Sequence, residues 1–150
     1  MNSLLLEAKQ KRKFVSPNLV IQSWEDVRPY FEQLVSFNID SETAMKEFLA
    51  FRSELEAVLS EDMSWRYIKM TCDTTNDSLR ESFNTFVTEI DPEISKYSNV
   101  LDKKCLENPY FQNLDGDYLI MKRALRQREA LFREENVPLI AELQTMEQDY

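Results

Sequence analysis

The sequence predicts an all-α protein of about seven helices, packed in antiparallel pairs and joined by short turns. The 150-residue chain contains one glycine and five prolines, so few of its residues favour turns. Apolar side chains recur at helical spacing through most of the chain. The apolar fraction of 43% is enough for a packed core, which argues against a disordered chain.

Residues 1–22 are predicted to form a tail and an extended segment, and residues 23–150 to form the helical part. Pro17 disfavours helical dihedral angles at the preceding residue, so Leu19–Ile21 can form a short strand. The first helix is predicted to begin at Asp26 as the N-cap, which places Pro29 in the first turn. Its apolar stripe consists of Val27, Tyr30, Phe31, Leu34 and Val35.

The second helix has the clearest apolar stripe, and Ser41 is its predicted N-cap. The inner side comprises Ala44, Met45, Phe48, Leu49, Leu55, Val58 and Leu59. Ser60–Asp62 is predicted to be a tight corner, followed by a third helix over Trp65–Cys72. Because apolar residues occur nearly all round that helix, we expect it to be buried.

A new apolar stripe begins after Asp77 with Leu79, Phe83, Phe86, Val87 and Ile90. Asp91 and Pro92 are then predicted to start another helix, as N-cap and first helical residue, which ends at Asn108–Pro109. Its inner positions are Ile94, Tyr97, Leu101 and Cys105.

Residues 113–116 predict a turn, and Asp117 is expected to open a long helix. The inward positions of this helix are Tyr118, Met121, Leu125 and Phe132. Pro138 must kink or restart it, with Asn136 as the candidate cap. The final apolar face is formed by Leu139, Ile140, Leu143 and Met146. No C-cap glycine follows before Tyr150, which predicts a domain edge or a truncated product.

The composition excludes several classes of function. A net charge of −9 argues against nucleic-acid binding, which requires clustered cations. No apolar run approaches the ~20 residues that a membrane span needs. The apolar run Leu4–Leu6 is too short for a signal peptide. Cys72 and Cys105 form no C-x-x-C pair, which predicts reduced core thiols in a cytoplasmic protein.

No catalytic, cofactor-binding or metal-ligating residue can be assigned. The chain contains no histidine, so it cannot supply an H-E-x-x-H zinc motif or a di-iron Glu-x-x-His motif. A calcium loop around Gly116 fails, because Phe111 and Lys122 would occupy ligand positions. The adjacent acids are expected to be solvated; they are Glu54 with Glu56, Glu61 with Asp62, and Glu134 with Glu135.

A series of short motifs resembles the N-terminal helical region of oligoendopeptidase F, a thimet-like zinc metallopeptidase. The motifs are W-E-D at 24–26, R-P-Y-F at 28–31, S-E-L at 53–55, S-E at 60–61, W-x-Y-I-x-M-T-C-D at 65–73 and F-R-E-E-N-V-P-L at 132–139. The resemblance extends from about Arg12 onward. It implies a helical lobe that forms one wall of a deep channel for short, unfolded peptides.

The same resemblance implies that zinc and all catalytic groups belong to a separate catalytic domain, absent from this chain. The implied partners are therefore that domain and the oligopeptide substrate, and the chain alone should be inactive. The alternative is a free-standing helical module that binds a peptide or protein. An exposed apolar stripe on the last helix would favour the lobe, because the stripe would pack on the catalytic domain.

Two polar groups have open interpretations. The first is a basic cluster of Lys122, Arg123, Arg126, Arg128 and Arg133. It is predicted to be a solvated face paired with Glu129, Glu134 and Glu135, and the alternative is a surface for the carboxylates of peptide substrates.

A separate cluster of basic residues, Lys9–Lys13, is predicted to be a basic tail.

The second group is the mixed segment with Trp65, Arg66, Tyr67, Lys69, Thr71, Asp73 and Thr74. A buried polar network is favoured, in which Asp73 caps a helix or bonds Thr75 and Asn76. Cys72 is then a small core residue. The alternative is a surface of a substrate channel.

Overall fold

The fold is given by a computed structural model that describes residues 12–148. The predictions for Leu4–Leu6, for Lys9 and Lys11, and for Tyr150 lie outside the described residues. Seven α-helices and one π-helical segment make up this range. They are α1 (Trp24–Ser36), α2 (Glu42–Cys72), α3 (Asp77–Thr85), the π segment (Phe86–Ile90), α4 (Asp91–Glu107), α5 (Pro109–Asn113), α6 (Tyr118–Leu131) and α7 (Asn136–Gln148).

The predicted all-α fold class is confirmed. Since α3, the π segment and α4 follow one another without a break, the described residues form six continuous helical stretches. Between residues 12 and 148 there is no strand, so the strand predicted at Leu19–Ile21 is wrong. Those residues have no neighbouring strand to pair with, and Ile21 instead packs its side chain into the helical core.

Helix α1 begins before the predicted Asp26. Ser23 is the N-cap, and its backbone N–H donates to Asp26 Oδ2 at 2.9 Å. Backbone N–H groups of Gln22 and Ser23 lower the pKa of Asp26 because they stabilise its charged form. Pro29 therefore lies inside the helix rather than in its first turn. The buried face comprises Val27, Phe31 and Leu34, as the stripe predicted.

Helix α2 is one uninterrupted helix of 31 residues, so the predicted corner at Ser60–Asp62 is wrong. Neither glycine nor proline occurs between residues 42 and 72, and nothing there stops a helix. The predicted cap is confirmed, since Ser41 Oγ accepts from the Ala44 N–H at 3.1 Å. Six of the predicted inner residues are buried, namely Met45, Phe48, Leu49, Leu55, Val58 and Leu59.

A cap at Asp91 and a new helix after it were predicted, but α4 follows the π segment without an interruption. Pro92 has no N–H to donate, so it interrupts the regular α-helical hydrogen bonding. The helix becomes locally wider and does not end here. The Asp91 N–H donates to Phe86 O, a hydrogen bond that spans one residue more than in an α-helix. Asp91 is thus a helical residue and not a cap.

The turn predicted at 113–116 is confirmed, and Gly116 has a φ of +63°, which favours glycine. Helix α6 is shorter than predicted and ends at Leu131. Phe132 is therefore outside the helix, whereas Leu125 is buried as expected. The chain restarts at Asn136, which places Pro138 in the first turn of α7, where its missing N–H costs nothing.

Helix α4 is the centre of the packing, because it contacts α1, α5, α6 and α7. One large apolar cluster contains the fully buried Phe31, Phe48, Phe86 and Phe111. A smaller cluster of Met70, Phe83 and Val87 lies under the last turns of α2. Helix α7 contacts both the π segment and α4, so it lies beside this smaller cluster.

Residues that precede α1 are held against α2 by Glu54. Its carboxylate accepts backbone N–H groups from Lys13 (2.9 Å), Phe14 (2.9 Å) and Val15 (2.7 Å). Phe14 also stacks on Phe51, with 5.0 Å between ring centroids. Partial burial raises the pKa of Glu54, but the three N–H donors outweigh it and the pKa is lowered overall.

Glu54→Gln is expected to destabilise the protein by about 1–2 kcal/mol at neutral pH, because a charged acceptor of several hydrogen bonds is lost. Since the folded pKa lies below the ordinary value of 4.5, the contribution of Glu54 is complete above that value. It is lost as the pH falls through the lowered folded pKa, so the difference between the two proteins must shrink there. Urea denaturation at neutral and acidic pH measures both effects.

Glu61→Gln is the matched control, because Glu61 is 57% exposed and its nearest cation, Arg12, is 3.7 Å away. An exposed pair of this kind contributes about 0–1 kcal/mol. Equal losses of stability in the two variants would contradict an anchoring role for Glu54.

Candidate functional site

The basic cluster of α6 is mostly occupied by contacts within the fold. Lys122 is buried, and its Nζ donates to Leu114 O and, at 2.6 Å, to Gln112 O. Arg126 donates to Gln112 Oε1 at 3.0 Å, and Arg128 donates to Asp102.

Arg133, beyond the end of α6, donates to Phe132 O at 2.7 Å. No ion pair within residues 12–148 joins the cluster to Glu129, Glu134 or Glu135, so that predicted pairing is wrong. Within the basic cluster, Arg123 is the one exposed cation that forms no hydrogen bond or ion pair with the described residues.

A buried ionic network joins α2, α4 and α6. Asp102, 3% exposed, accepts from Arg52 at 2.5 Å and from Arg128 at 3.0 Å. Arg52 also donates to Glu56 at 2.8 Å. Burial beside this network raises the pKa of the Cys105 thiol to about 11, so the thiol stays protonated at neutral pH. The contacts of Asp102 with Arg52 and Arg128 hold α2, α4 and α6 together.

The end of α2 is exposed, contrary to the predicted burial of Trp65–Cys72. Trp65 is 54% exposed and Tyr67 is 46% exposed, because the last turns of the helix extend beyond the main core. Met70 is the buried residue of this part. Asp73 Oδ1 accepts from the hydroxyl of Thr75 at 2.8 Å, as the polar network predicted.

Arg66, in the same part of α2, points inward and forms several hydrogen bonds. It donates to Asp62 at 2.7 Å, to Ser82 O at 2.9 Å and to Ile21 O, and it lies over the ring of Phe86. These contacts join α2 to α3 and to the segment before α1. The Asp73–Thr75 bond was predicted, but both residues are exposed, so the predicted burial of this network is wrong. The partly buried polar contacts of the segment are instead made by Arg66.

Two concave surfaces lie on either side of this helix end. The Met63 groove has a volume of about 510 Å³. Its lining residues are Met63, Ser64, Tyr67, Ile68, Phe83, Val87, Gln144 and Glu147. The Trp65 cleft has a volume of about 380 Å³. Its lining residues are Leu19, Val20, Ile21, Asp62, Trp65, Arg66, Lys69, Leu79 and Ser82.

A third surface is the outer face of α7, termed the α7 stripe. Leu139, Leu143 and Met146 recur at one-turn spacing and are 56%, 57% and 59% exposed. The inner face of the helix carries the buried Val137 and Ala141. The apolar face predicted from the sequence is therefore present, and it points away from the core.

Residues 12–148 contain no group of three or more acidic or cysteine side chains placed to hold a metal ion. No helix in that range is long and apolar enough to cross a membrane. The concave and apolar surfaces described above are the candidate sites.

A comparison with protein-family models matches residues 14–122 to the peptidase M3 N-terminal domain. The chain belongs to this family. It is the N-terminal region of an M3 peptidase of the oligoendopeptidase F-like kind, as the motifs predicted. No curated protein and no solved structure matches the chain significantly. The match includes α1 to α5 and ends within α6, so the α7 stripe lies beyond the matched residues of the M3 domain.

The Met63 groove was not predicted, and it is formed partly by α7, beyond the residues that match the M3 N-terminal domain. Its floor residues were recognised as apolar, but Gln144 and Glu147 come from α7, far from Met63 in sequence. The helical spacing of Phe83 and Val87 predicts that their helix buries one face, but it does not indicate which other helices that face meets. The anchoring role of Glu54 was missed for the same reason, since its donors lie about 40 residues away, at Lys13–Val15.

Cys72 is exposed and Cys105 is buried, so the prediction of two core thiols is wrong for Cys72. We expect Cys72 to react with a thiol reagent such as iodoacetamide in the native protein, whereas Cys105 reacts only after unfolding. Burial and a pKa of about 11 both suppress the reactive thiolate at Cys105. Mass mapping of alkylated peptides from native and urea-unfolded protein measures this. Equal labelling of both cysteines in the native state would contradict the packing of α4.

Proposed function

We propose that the chain acts as the N-terminal helical lobe of a zinc metallo-oligoendopeptidase and forms one wall of its peptide-binding channel. Family membership supports the assignment to an M3 peptidase. The observation that carries the proposal is the α7 stripe, whose large apolar side chains are more than half exposed. Such a stripe indicates a surface that packs against another protein part, and we infer that this part is the catalytic domain.

The energetics of the α7 stripe favour such packing. Complete burial of a leucine or methionine side chain contributes about 1.5–3 kcal/mol. For three side chains that are more than half exposed, burial in an interface would contribute roughly 3 kcal/mol in total. An interface centred on Leu143 would also remove from water the neighbouring Ile140, which is 51% exposed.

The Trp65 cleft is the surface that we propose to face the channel. Trp65 and Lys69 are one helical turn apart and therefore share a face of α2. An exposed indole offers an apolar surface for a peptide side chain, and the ammonium of Lys69 can pair with a peptide carboxylate. Val20, 68% exposed, extends the apolar part of this cleft.

Zinc and the hydrolytic chemistry are proposed to belong to the catalytic domain, as are the groups that activate water. The donor set of this chain does not fit a zinc site of that type, because the chain has no histidine. The lobe would instead exclude bulky substrates and hold a peptide by its side chains. The oligopeptide substrate and a cytoplasmic location are parts of the same proposal, and the two free cysteines support the latter.

We expect the chain alone to show no peptidase activity when it is incubated with zinc and an internally quenched oligopeptide. The reason is that zinc-activated water requires protein ligands that a chain without histidine does not supply in the H-E-x-x-H form. Fluorescence increase with and without a chelator measures this. Cleavage that the chelator abolishes would contradict the proposed non-catalytic role.

An immunoblot of the source cells tests the proposed function itself, with an antibody raised against residues 42–72. A product several times heavier than 17.8 kDa that copurifies with chelator-sensitive peptidase activity is the expected result. A product of 17.8 kDa would instead support a free-standing helical module that binds a peptide or protein. The Met63 groove is the observation that favours this second function, because it is concave and largely apolar.

A further inference from the structure

The segment before α1 follows α2 toward the C-terminal end of that helix. The backbone at Lys13–Val15 is bound to Glu54, and Arg12 lies 3.7 Å from Glu61. Glu61 is two helical turns, about 10 Å, beyond Glu54 on the same face of α2. Toward the N terminus, the side chain of Arg12 therefore points along this face from Glu54 to Glu61.

The Met63 groove lies next along the same face. Ile68 is two turns beyond Glu61, and both Ser64 and Ile68 line the groove. The guanidinium of Arg12 thus lies within about 10 Å, measured along α2, of the middle of the groove. The backbone at Lys13 remains beside Glu54, roughly 21 Å along the helix from Ile68. Residues 1–11 are the part of the chain that precedes this point.

The groove has a defined chemistry. Its floor is the small apolar cluster of Phe83 and Val87, with Met63 beside it. Ile68 and Tyr67, 43% and 46% exposed, form the upper part of one side. An occupant with large aliphatic side chains would therefore cover surface that water now contacts.

The polar features of the groove also define its occupant. Gln144 Oε1 is buried and has no hydrogen-bond partner among residues 12–148, so it lacks a donor. Glu147 is the single charged residue among those that line the groove within the described range, and it is acidic. A complementary occupant supplies an N–H donor and a cation in addition to its apolar side chains.

We propose that the Met63 groove is the binding site for Leu4–Leu6 of the same chain, with the ammonium of Lys9 or Lys11 near Glu147. The sequence of residues 1–11 supplies three consecutive leucines, two lysines and backbone N–H donors. The seven residues from Arg12 to Leu5 span about 10 Å if helical and about 25 Å if extended. The extended length covers the roughly 21 Å along α2 from Glu54 to Ile68, so the docking is possible within one chain.

Docking of Leu4–Leu6 occupies the groove with a segment of the chain itself and leaves the α7 stripe and the Trp65 cleft free. The proposal therefore does not depend on the proposed function. It also gives the leucine run a role other than that of a targeting signal.

A spin label on Cys72 tests the proposal in the full-length chain. Cys72 is exposed and lies one helical turn beyond Ile68, whereas Cys105 is buried, so labelling is selective. The nuclear magnetic resonance signals of the amides of residues 4–6 are expected to disappear with the oxidised nitroxide and to return after its reduction. Leu5→Asp is expected to restore these signals with the oxidised label, and Glu7→Gln, the matched control, is expected not to.

Three results would overturn the proposal. The first is equal amide intensities of residues 4–6 with oxidised and reduced label. The second is a loss of signal that persists in Leu5→Asp, because the leucines would then not hold the segment. The third comes from a mixture of two samples, one enriched in ¹⁵N without a spin label and one of natural isotope abundance with the spin label on Cys72. Signal loss in that mixture equal to the loss within one chain would place the segment on a second copy.

Discussion

Asp102→Ala is expected to destabilise the protein by about 3–5 kcal/mol, because it removes the buried carboxylate that pairs with Arg52 and leaves that guanidinium only the half-exposed Glu56. Arg52 is 4% exposed and Asp102 is 3% exposed, so water cannot replace the lost carboxylate. Arg52 Nη1 already has no partner among the described residues. A loss of this size is a large part of the ~5–15 kcal/mol that stabilises an ordinary domain. The midpoint of urea denaturation measures it.

Arg128→Ala is the matched control, because Arg128 donates to the same carboxylate oxygen but its side chain is 55% exposed. Its removal is expected to change stability by about 0–1 kcal/mol. The double variant Arg52→Met with Asp102→Leu should recover most of the loss, since an apolar pair of similar volume removes the uncompensated charge. A single variant Asp102→Ala that is as stable as Arg128→Ala would contradict this account of the network.

Apolar spacing predicted the helices well where the core decides the structure. The buried apolar residues of α1 and of the first half of α2 were each identified from their spacing, whereas the buried Arg52 was not. The wrong predictions concern helix ends, whose position depends on which of several neighbouring residues forms the cap or interrupts the hydrogen bonding. Ser23 forms a capping arrangement with Asp26 and displaces it as the N-cap. At Pro92 the helix does not stop and restart at a cap, because a π segment continues directly into α4.

The exposure of the end of α2 shows a different limit of sequence reasoning. Trp65, Tyr67 and Ile68 belong to an apolar sequence, but whether they are buried depends on how far α2 extends past its neighbours. A helix that was predicted to break at Ser60–Asp62 would fold back onto the core, whereas the uninterrupted helix does not. Because α2 was predicted to end at Ser60–Asp62, residues 65–72 were predicted to be buried, whereas in the continuous helix most of them are exposed.

The family could be predicted from short motifs, whereas the candidate surfaces could not. Each surface combines residues that are distant in the chain, as Met63 and Gln144 are in the groove. The α7 stripe is the exception, because its one-turn spacing is visible in the sequence. Only the fold shows that the buried side of α7 is instead formed by Val137 and Ala141.

Leu143→Glu is expected to weaken the binding of this lobe to a separately produced catalytic domain by about 30-fold or more. Leu143 lies at the centre of the α7 stripe, and loss of a central interface contact costs about 2–4 kcal/mol. Each ~1.4 kcal/mol corresponds to a tenfold change in Kd, and an unpaired carboxylate in an apolar interface adds a desolvation cost. Titration of the catalytic domain with the chain, followed by fluorescence anisotropy, measures the Kd.

Ile120→Glu is the matched control for this experiment, because Ile120 is an aliphatic residue that is 83% exposed on α6, outside the α7 stripe. It carries the same change of charge, so a general electrostatic effect would weaken binding equally in both variants. Leu143 is 57% exposed, and its replacement should leave the free energy of unfolding nearly unchanged. Selective weakening by Leu143→Glu would therefore identify the stripe as the interface, whereas unaltered binding would require the catalytic domain to pack elsewhere on the lobe.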